Sequence, residues 1–383
     1  MRTAEHPIFA DYRDSDPRAA LREMTARPVS VEPRTGALIV TAHPLVQRLL
    51  LDPGLTNMPQ RDPLDGLPPE RIALHRPVTD FFRAWGGHHA EVRRRLLPIF
   101  GRHHLNPLLP RLRETAGELL RGLRATAEPA DWVRDFCRPY CLAVLGAVFG
   151  ASDHDMDVLA RSTDGLMAYV AKSGSARDDD LAVRARASIE QAGAAVRAIV
   201  LDAPASELAV ALRSIADDPA LGRPVAVAVA VQIITGTMDP LTTALTETLL
   251  HRADPGAGFT DEVLRLSCPF RFAVRYATRD MEVEGHRVRA GQRVLLVLGA
   301  ANLDEDVFPE PLEFRPDGRE NRHLAFGRGA HMCIGSGLAR AAIGVAADAL
   351  ATADVTVEAD PATLRRAGHL GADQILGLTV RAR

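Results

Sequence analysis

Cysteine is scarce, with four in 383 residues, at positions 137, 141, 268 and 333. That is too few and too scattered for a disulfide framework. Cys137 and Cys141 stand four apart in a segment with helical spacing, Trp132 to Phe149, so they share a face. No second ligand pair follows at zinc-site spacing, and buried apolar thiols are the simpler expectation. Lysine is nearly absent: Lys172 is the single one among 46 basic residues, so any docking surface for an acidic partner must be built from arginine. A formal charge of −3 gives no bulk affinity for nucleic acid. No apolar run reaches the roughly 18 residues of a membrane span. The longest, Val225 to Ile234, fits a buried core helix. Met1 to Asp11 lacks a basic stretch followed by an apolar one, so no signal peptide and a soluble, cytoplasmic protein are expected.

What is present reads as mainly α with a minor β part. Apolar residues recur at three- and four-residue spacing in Ala90–Phe100, Leu108–Thr126, Trp132–Phe149, Asp153–Val170 and Asp178–Leu201. Pro224 opens a helix that is apolar all round through Ile234, the pattern of a central, buried element. Thr260 caps a helix to Leu266, and Gly335 to Ala351 is helical again. Short β-rich runs flank the turn Arg34-Thr35-Gly36, recur between Phe272 and Leu298, and return in the tail from Val355. Asp52 to Gly87, rich in Pro, Gly and Asp, reads as a long loop, of the kind that is functional or disordered in compact folds.

The chemistry gathers in Phe326-Gly327-Arg328-Gly329-Ala330-His331-Met332-Cys333-Ile334-Gly335. Three glycines let the backbone approach a flat ligand closely. A cysteine at a helix N-terminus sits in a positive field that favours thiolate, and neighbouring N–H groups can donate to its sulfur. That suits a thiolate ligand for iron, which pushes electron density toward O–O cleavage. A catalytic cysteine or an inert buried one are alternatives on these residues alone.

The stretch resembles, position for position, the cysteine-loop signature of the cytochrome P450 family, through Phe326, Gly327, Gly329, His331, Cys333 and Gly335. The resemblance implies the cytochrome P450 fold, one haem domain over residues 1–383, and haem b held between a central distal helix and the helix after the loop. Cys333 is then the axial iron ligand, Phe326 packs beside the proximal face, and His331 contacts a propionate. Glu262 and Arg265, three apart on a helix, resemble the family's Glu-x-x-Arg pair, with Arg319 as third member of a structural ion-pair network. His89 and Arg93 match two propionate-binding positions and Arg275 a third, completing a four-point clamp with His331. The match is good from about His88 onward and loose before it.

The distal helix departs from the family. Its usual Ala/Gly-Gly-x-acid-Thr becomes Thr235-Gly236-Thr237-Met238-Asp239 followed by Pro240. Met238 takes the place of the acid and Asp239 that of the alcohol. Pro240 lacks an N–H, so a kink or opening is expected there. Burial would raise the pKa of Asp239, and its carboxylic acid, with a hydroxyl of Thr237 or Thr235, would move protons.

The reaction implied is monooxygenation of a small apolar or aromatic secondary-metabolite intermediate, using O2 and electrons from a separate ferredoxin and ferredoxin reductase. The distal substitution keeps two alternatives open: other haem-thiolate chemistry (oxidative coupling, ring formation, dehydrogenation, peroxide use) and a non-catalytic haem protein. Phe81, Phe82, Phe270 and Phe272 are candidate apolar substrate contacts, Arg271 a candidate carboxylate contact. Arg93, Arg94, Arg95, Arg328 and Arg340 are candidates for an acidic ferredoxin's docking face. A monomer without nucleic-acid or membrane partners is expected.

Overall fold

The computed structural model describes residues 16–84, 86–126, 128–172, 178–253, 256–317, 321–353, 355–367 and 374–382. Helices dominate. The longest, Gly222–Leu250, runs through the middle of the helical layer and is called the central helix below. Val225 to Val231 and Leu241 to Leu249 are buried on every side, as the all-round apolar pattern requires. It packs against Arg138–Phe149, Asp179–Val196, Glu207–Asp217, Phe259–Ser267 and Ser336–Thr352. The last of these, the proximal helix, follows the cysteine loop. Among the described residues, the central helix is the one element long and apolar enough to cross a membrane, and over half of its apolar stretch lies inside the fold.

The β part is segregated. A five-stranded sheet has the order Val29–Val31, Leu38–Val40, Arg293–Leu296, Ala273–Ala277, Leu55–Thr56. Leu38–Val40 pairs parallel with Arg293–Leu296 and the other neighbours are antiparallel. Ala130–Asp131, Thr379–Ala382 and Val357–Ala359 form a second sheet, and Arg365–Arg366 pairs with Ile375–Gly377 in a short hairpin.

Several expectations need correction. Asp52 to Gly87 is no plain loop: Pro69–Arg83 is a helix with Pro77 inside it. The expected helix Asp153–Val170 breaks at Ser162–Thr163 into Asp153–Arg161 and Asp164–Lys172. Thr260 is no cap, since its helix starts at Phe259. Glu207–Asp217, capped by Ser206, was not anticipated. Most instructive is Pro240: the central helix continues through it without a break. An interior proline costs about 3 kcal/mol, whereas each fully buried Val or Leu contributes about 1.5–3 kcal/mol. The packed segments on either side therefore outweigh the loss.

One ion pair anchors the chain that leads to the cysteine loop. Arg265 and Glu262 are buried and meet at 2.6 and 2.8 Å. Arg265 also donates to the carbonyls of Asn302, Pro311 and Glu313, at 3.0, 2.7 and 2.9 Å. Glu262 accepts from the Arg315 N–H at 2.9 Å and the Asn321 amide at 3.0 Å. Arg319, expected as the third member, lies outside the described residues. Glu262→Gln leaves the guanidinium buried without its charge partner and should cost about 3–5 kcal/mol. Urea denaturation checks it, and an unchanged midpoint would contradict the anchoring role.

Candidate functional site

The cysteine loop is shaped by its glycines. Gly327 and Gly329 take φ of +64° and +74°, the left-handed region where glycine alone is unstrained. A Cβ on Gly329 would lie 2.8 Å from Leu51 Cδ2, whereas one on Gly327 would meet nothing within 4 Å. Gly327 N–H donates to Leu324 O, Met332 N–H to Gly329 O and Cys333 N–H to Phe326 O, at 2.8, 3.0 and 2.9 Å. Solvent reaches Cys333, although protein surrounds it closely enough to raise its thiol pKa. The Gly335 N–H beside the sulfur, and the fields of Arg93 and Arg340, pull the other way.

Beside the loop stands a knot of basic groups. His331 Nδ1 lies 3.2 Å from His89 Nε2, with ring centroids 4.2 Å apart. Arg93 Nη1 donates to Met332 O at 2.7 Å. Arg275 is buried on the strand Ala273–Ala277 and donates to its neighbour's carbonyl, Val274 O, at 2.9 Å. Burial first, then the positive fields of His89, Arg275 and Arg93, push His331 down to about 4. The fold thus brings His89, Arg93, Arg275 and His331 together from three separate parts of the chain. Among the described residues, no carboxylate pairs with Arg93, Arg275 or His331. A buried guanidinium without a carboxylate calls for an anion.

The central helix carries the other sequence-predicted candidates. Its segment from Thr235 to Pro240 is incompletely buried, unlike Val225–Val231 and Leu241–Leu249. A Cβ on Gly236 would meet nothing within 4 Å. The Thr237 hydroxyl donates to Ile233 O at 2.7 Å and that of Thr235 to Val231 O at 3.0 Å. Asp239 accepts from the side-chain amide of Gln374 at 3.3 Å. Burial raises the Asp239 pKa and the nearby carboxylate of Asp164 adds to the rise, against the Gln374 hydrogen bond and Arg138. Gln374 lies 135 residues from Asp239, a separation that leaves no sequence signal for the pair.

Other candidates separate. Phe81 and Phe82 meet edge-on at 5.8 Å on the helix Pro69–Arg83, and Phe82 and Phe270 expose large apolar surface. Phe272 packs instead on the cluster of Leu21, Ile39 and Leu295, and Arg271 is buried beside Gly299. Both belong to the packing of the five-stranded sheet, a correction to their reading as substrate contacts. The basic face is also less free than the arginine count implied. Glu91 pairs with Arg94 and Arg95, Arg95 also with Asp218, and Arg340 with Asp261. Cys137 and Cys141 are buried against the central helix, with Cys141 Sγ 3.8 Å from Met238 O and its thiol pushed up to about 12. Among the described residues, no cluster of three or more His, Cys, Asp or Glu could hold a metal ion.

A haem fits these residues. Its two carboxylates match the basic knot beside the loop, Cys333 offers a single sulfur with an N–H beside it, and Gly327 and Gly236 border open space. The site and the helical fold define a haem-thiolate oxidoreductase. Residues 259–350 match the family profile described as Cytochrome P450. The chain is 30% identical to Cytochrome P450-SOY of Streptomyces griseus, covering 88% of this chain and 82% of that protein. It is 28% identical to 20-oxo-5-O-mycaminosyltylactone 23-monooxygenase of Streptomyces fradiae, covering 80% and 74%. Its fold overlays a cytochrome P450 enzyme for C–S bond formation in chuangxinmycin biosynthesis with a TM-score of 0.75, at 20% identity over 97% and 95% of the two chains. The protein belongs to the cytochrome P450 family.

The basic knot makes a quantitative demand. A hydrogen bond to a charged group contributes about 1.5–3 kcal/mol, so Arg275→Leu should weaken haem retention roughly ten- to a hundredfold. His331→Ala should fall short of that, because burial and the neighbouring positive fields disfavour the charged form of His331. The rate of haem transfer to apomyoglobin measures both. Equal and negligible changes would remove the knot as the anion-binding group.

Proposed function

We propose that the chain monooxygenates a small apolar or aromatic secondary-metabolite intermediate, with O2 and electrons delivered by a separate ferredoxin and ferredoxin reductase. The observation that carries this reading is the gathering of His89, Arg93, Arg275 and His331 beside the Cys333 loop. Haem b, bound over a single domain of residues 1–383, supplies the oxidising chemistry. Cys333 holds the iron, His89, Arg93, Arg275 and His331 the propionates, and Phe326 and Gly335 the proximal side. The apolar surface of Phe81 and Phe82 supports an apolar substrate. The streptomycete monooxygenase named above supports a secondary-metabolite intermediate. A cytoplasmic monomer is part of the same proposal.

Thr237 and Asp239 are the proposed proton-handling residues. The Thr237 hydroxyl spends its proton on Ile233 O, leaving its lone pairs to accept one. Asp239, with its raised pKa, keeps its proton to higher pH than an ordinary carboxylic acid, and Gln374 fixes its orientation. The neutral carboxyl is the donating form, so turnover should decline as pH rises through that raised pKa. Asp239→Asn should lose this limb and slow turnover by about 10²-fold or more. An unchanged pH–rate profile would take Asp239 out of the chemistry.

A second reading rests on Met238-Asp239-Pro240, where no acid–alcohol pair stands: oxidative coupling, ring formation, dehydrogenation or peroxide use. The fold it shares with an enzyme of C–S bond formation supports that breadth. Product formed with peroxide alone, without ferredoxin, favours the second reading; product only with ferredoxin, reductase and O2 favours the first. The ligand has its own check. The reduced carbon monoxide complex should show the red-shifted Soret band of thiolate ligation, and Cys333→Ser should abolish it.

A further inference from the structure

Arg340 was read from the sequence as a surface charge, and the fold gives it other company. Its guanidinium carbon lies 4.7 Å from the centroid of the Phe326 ring, a cation–π distance. Its Nε donates to Asp261 Oδ1 at 2.9 Å. His323 completes the group, its ring 5.8 Å from that of Phe326. The Ala325 N–H donates to His323 Nδ1 at 3.2 Å, so the neutral ring carries its proton on Nε2. Nε2–H then donates to the same Asp261 oxygen at 3.3 Å. The hydrogen bond from His323, with the charge and hydrogen bond of Arg340, pulls Asp261 down to about 2. The carboxylate thus persists throughout the working pH range, and a fixed anion pins a cation on the aromatic ring. The Phe326 carbonyl in turn accepts the Cys333 N–H at 2.9 Å, so ring and sulfur belong to one short hydrogen-bonded unit.

We propose that Arg340 is a positioning residue which, pinned by Asp261 and His323, clamps the Phe326 ring and places a fixed positive charge below the thiolate, raising the potential at which ferric iron accepts an electron. The inference rests on Cys333 as the iron ligand. The direction follows from charge: one-electron reduction of ferric to ferrous iron adds a negative charge, which a nearby cation stabilises. The electron comes from the separate one-electron donor. Asp261 and Arg340 are each about two-fifths exposed, at 41% and 40%, so substitution at either leaves the hydrophobic core intact.

Three variants of the haem-loaded protein test this: Arg340→Gln, Arg340→Lys and Asp261→Asn. Midpoint potentials come from anaerobic spectroelectrochemical titration, and melting curves confirm folding. Arg340→Gln should shift the potential negative. Arg340→Lys keeps the charge without the planar fork and should shift it less. Asp261→Asn is the discriminating case. Loss of a carboxylate acting only through its charge would move the potential positive, whereas release of Arg340 from the ring moves it negative. A potential unchanged in Arg340→Gln, or a positive shift in Asp261→Asn, would overturn the proposal. The carbon monoxide spectrum separates the two possible failures. Absence of the thiolate band from the unsubstituted protein sinks the ligand assignment; its presence with an unmoved potential sinks the role of Arg340.

Discussion

The buried pairing of Glu262 with Arg265 is the constraint on which the proximal half of the molecule depends. A guanidinium has five N–H donors in a rigid fork. Here they meet both oxygens of Glu262 and the carbonyls of Asn302, Pro311 and Glu313. The carboxylate returns the favour to the Arg315 N–H and the Asn321 amide. Two residues on one helical turn thereby fix points along the described stretches 302–315 and 321, and residues 321–324 lead into the cysteine loop. A buried charge pair is costly to form and costly to break, so the loop inherits a single position.

The central helix poses the opposite problem, since it must be rigid and locally open at once. Val225–Val231 and Leu241–Leu249 are buried on every side, while Thr235 to Pro240 is only partly covered. Threonine hydroxyls bonded one turn back at Val231, Ile233 and Asp239 occupy backbone carbonyls along this stretch. Asp239 and Gln374 add a polar contact from the C-terminal hairpin. The helix therefore carries polar groups toward the site without losing its course.

Much of this was legible in the sequence. The strands at Val29–Val31, Leu38–Val40, Met281–Val283 and His286–Val288 fall where turn residues and β-branched runs placed them. The main helices follow their three- and four-residue apolar spacing. The helix Pro69–Arg83 was missed because proline and polar residues mask a weak apolar face: among its residues only His75 and Val78 are buried. Pro240 misled for a related reason. A local rule predicts a break, and packing against the surrounding helices overrides it.

The sequence by itself determined the cysteine loop, because its glycines, its lone thiol and the helix that follows are neighbours in the chain and act over a few residues. It also determined which residue types stand ready for a haem's carboxylates. Only the tertiary structure decided which arginines are engaged and how. Arg340 became part of the Phe326 clamp, Arg94 and Arg95 were taken up by Glu91, and Arg275 was buried with no carboxylate beside it among the described residues. The physical reason is range. A side chain's charge is set by its own chemistry, but its effect depends on what else the fold brings within a few ångströms, and those partners are dozens to hundreds of residues away.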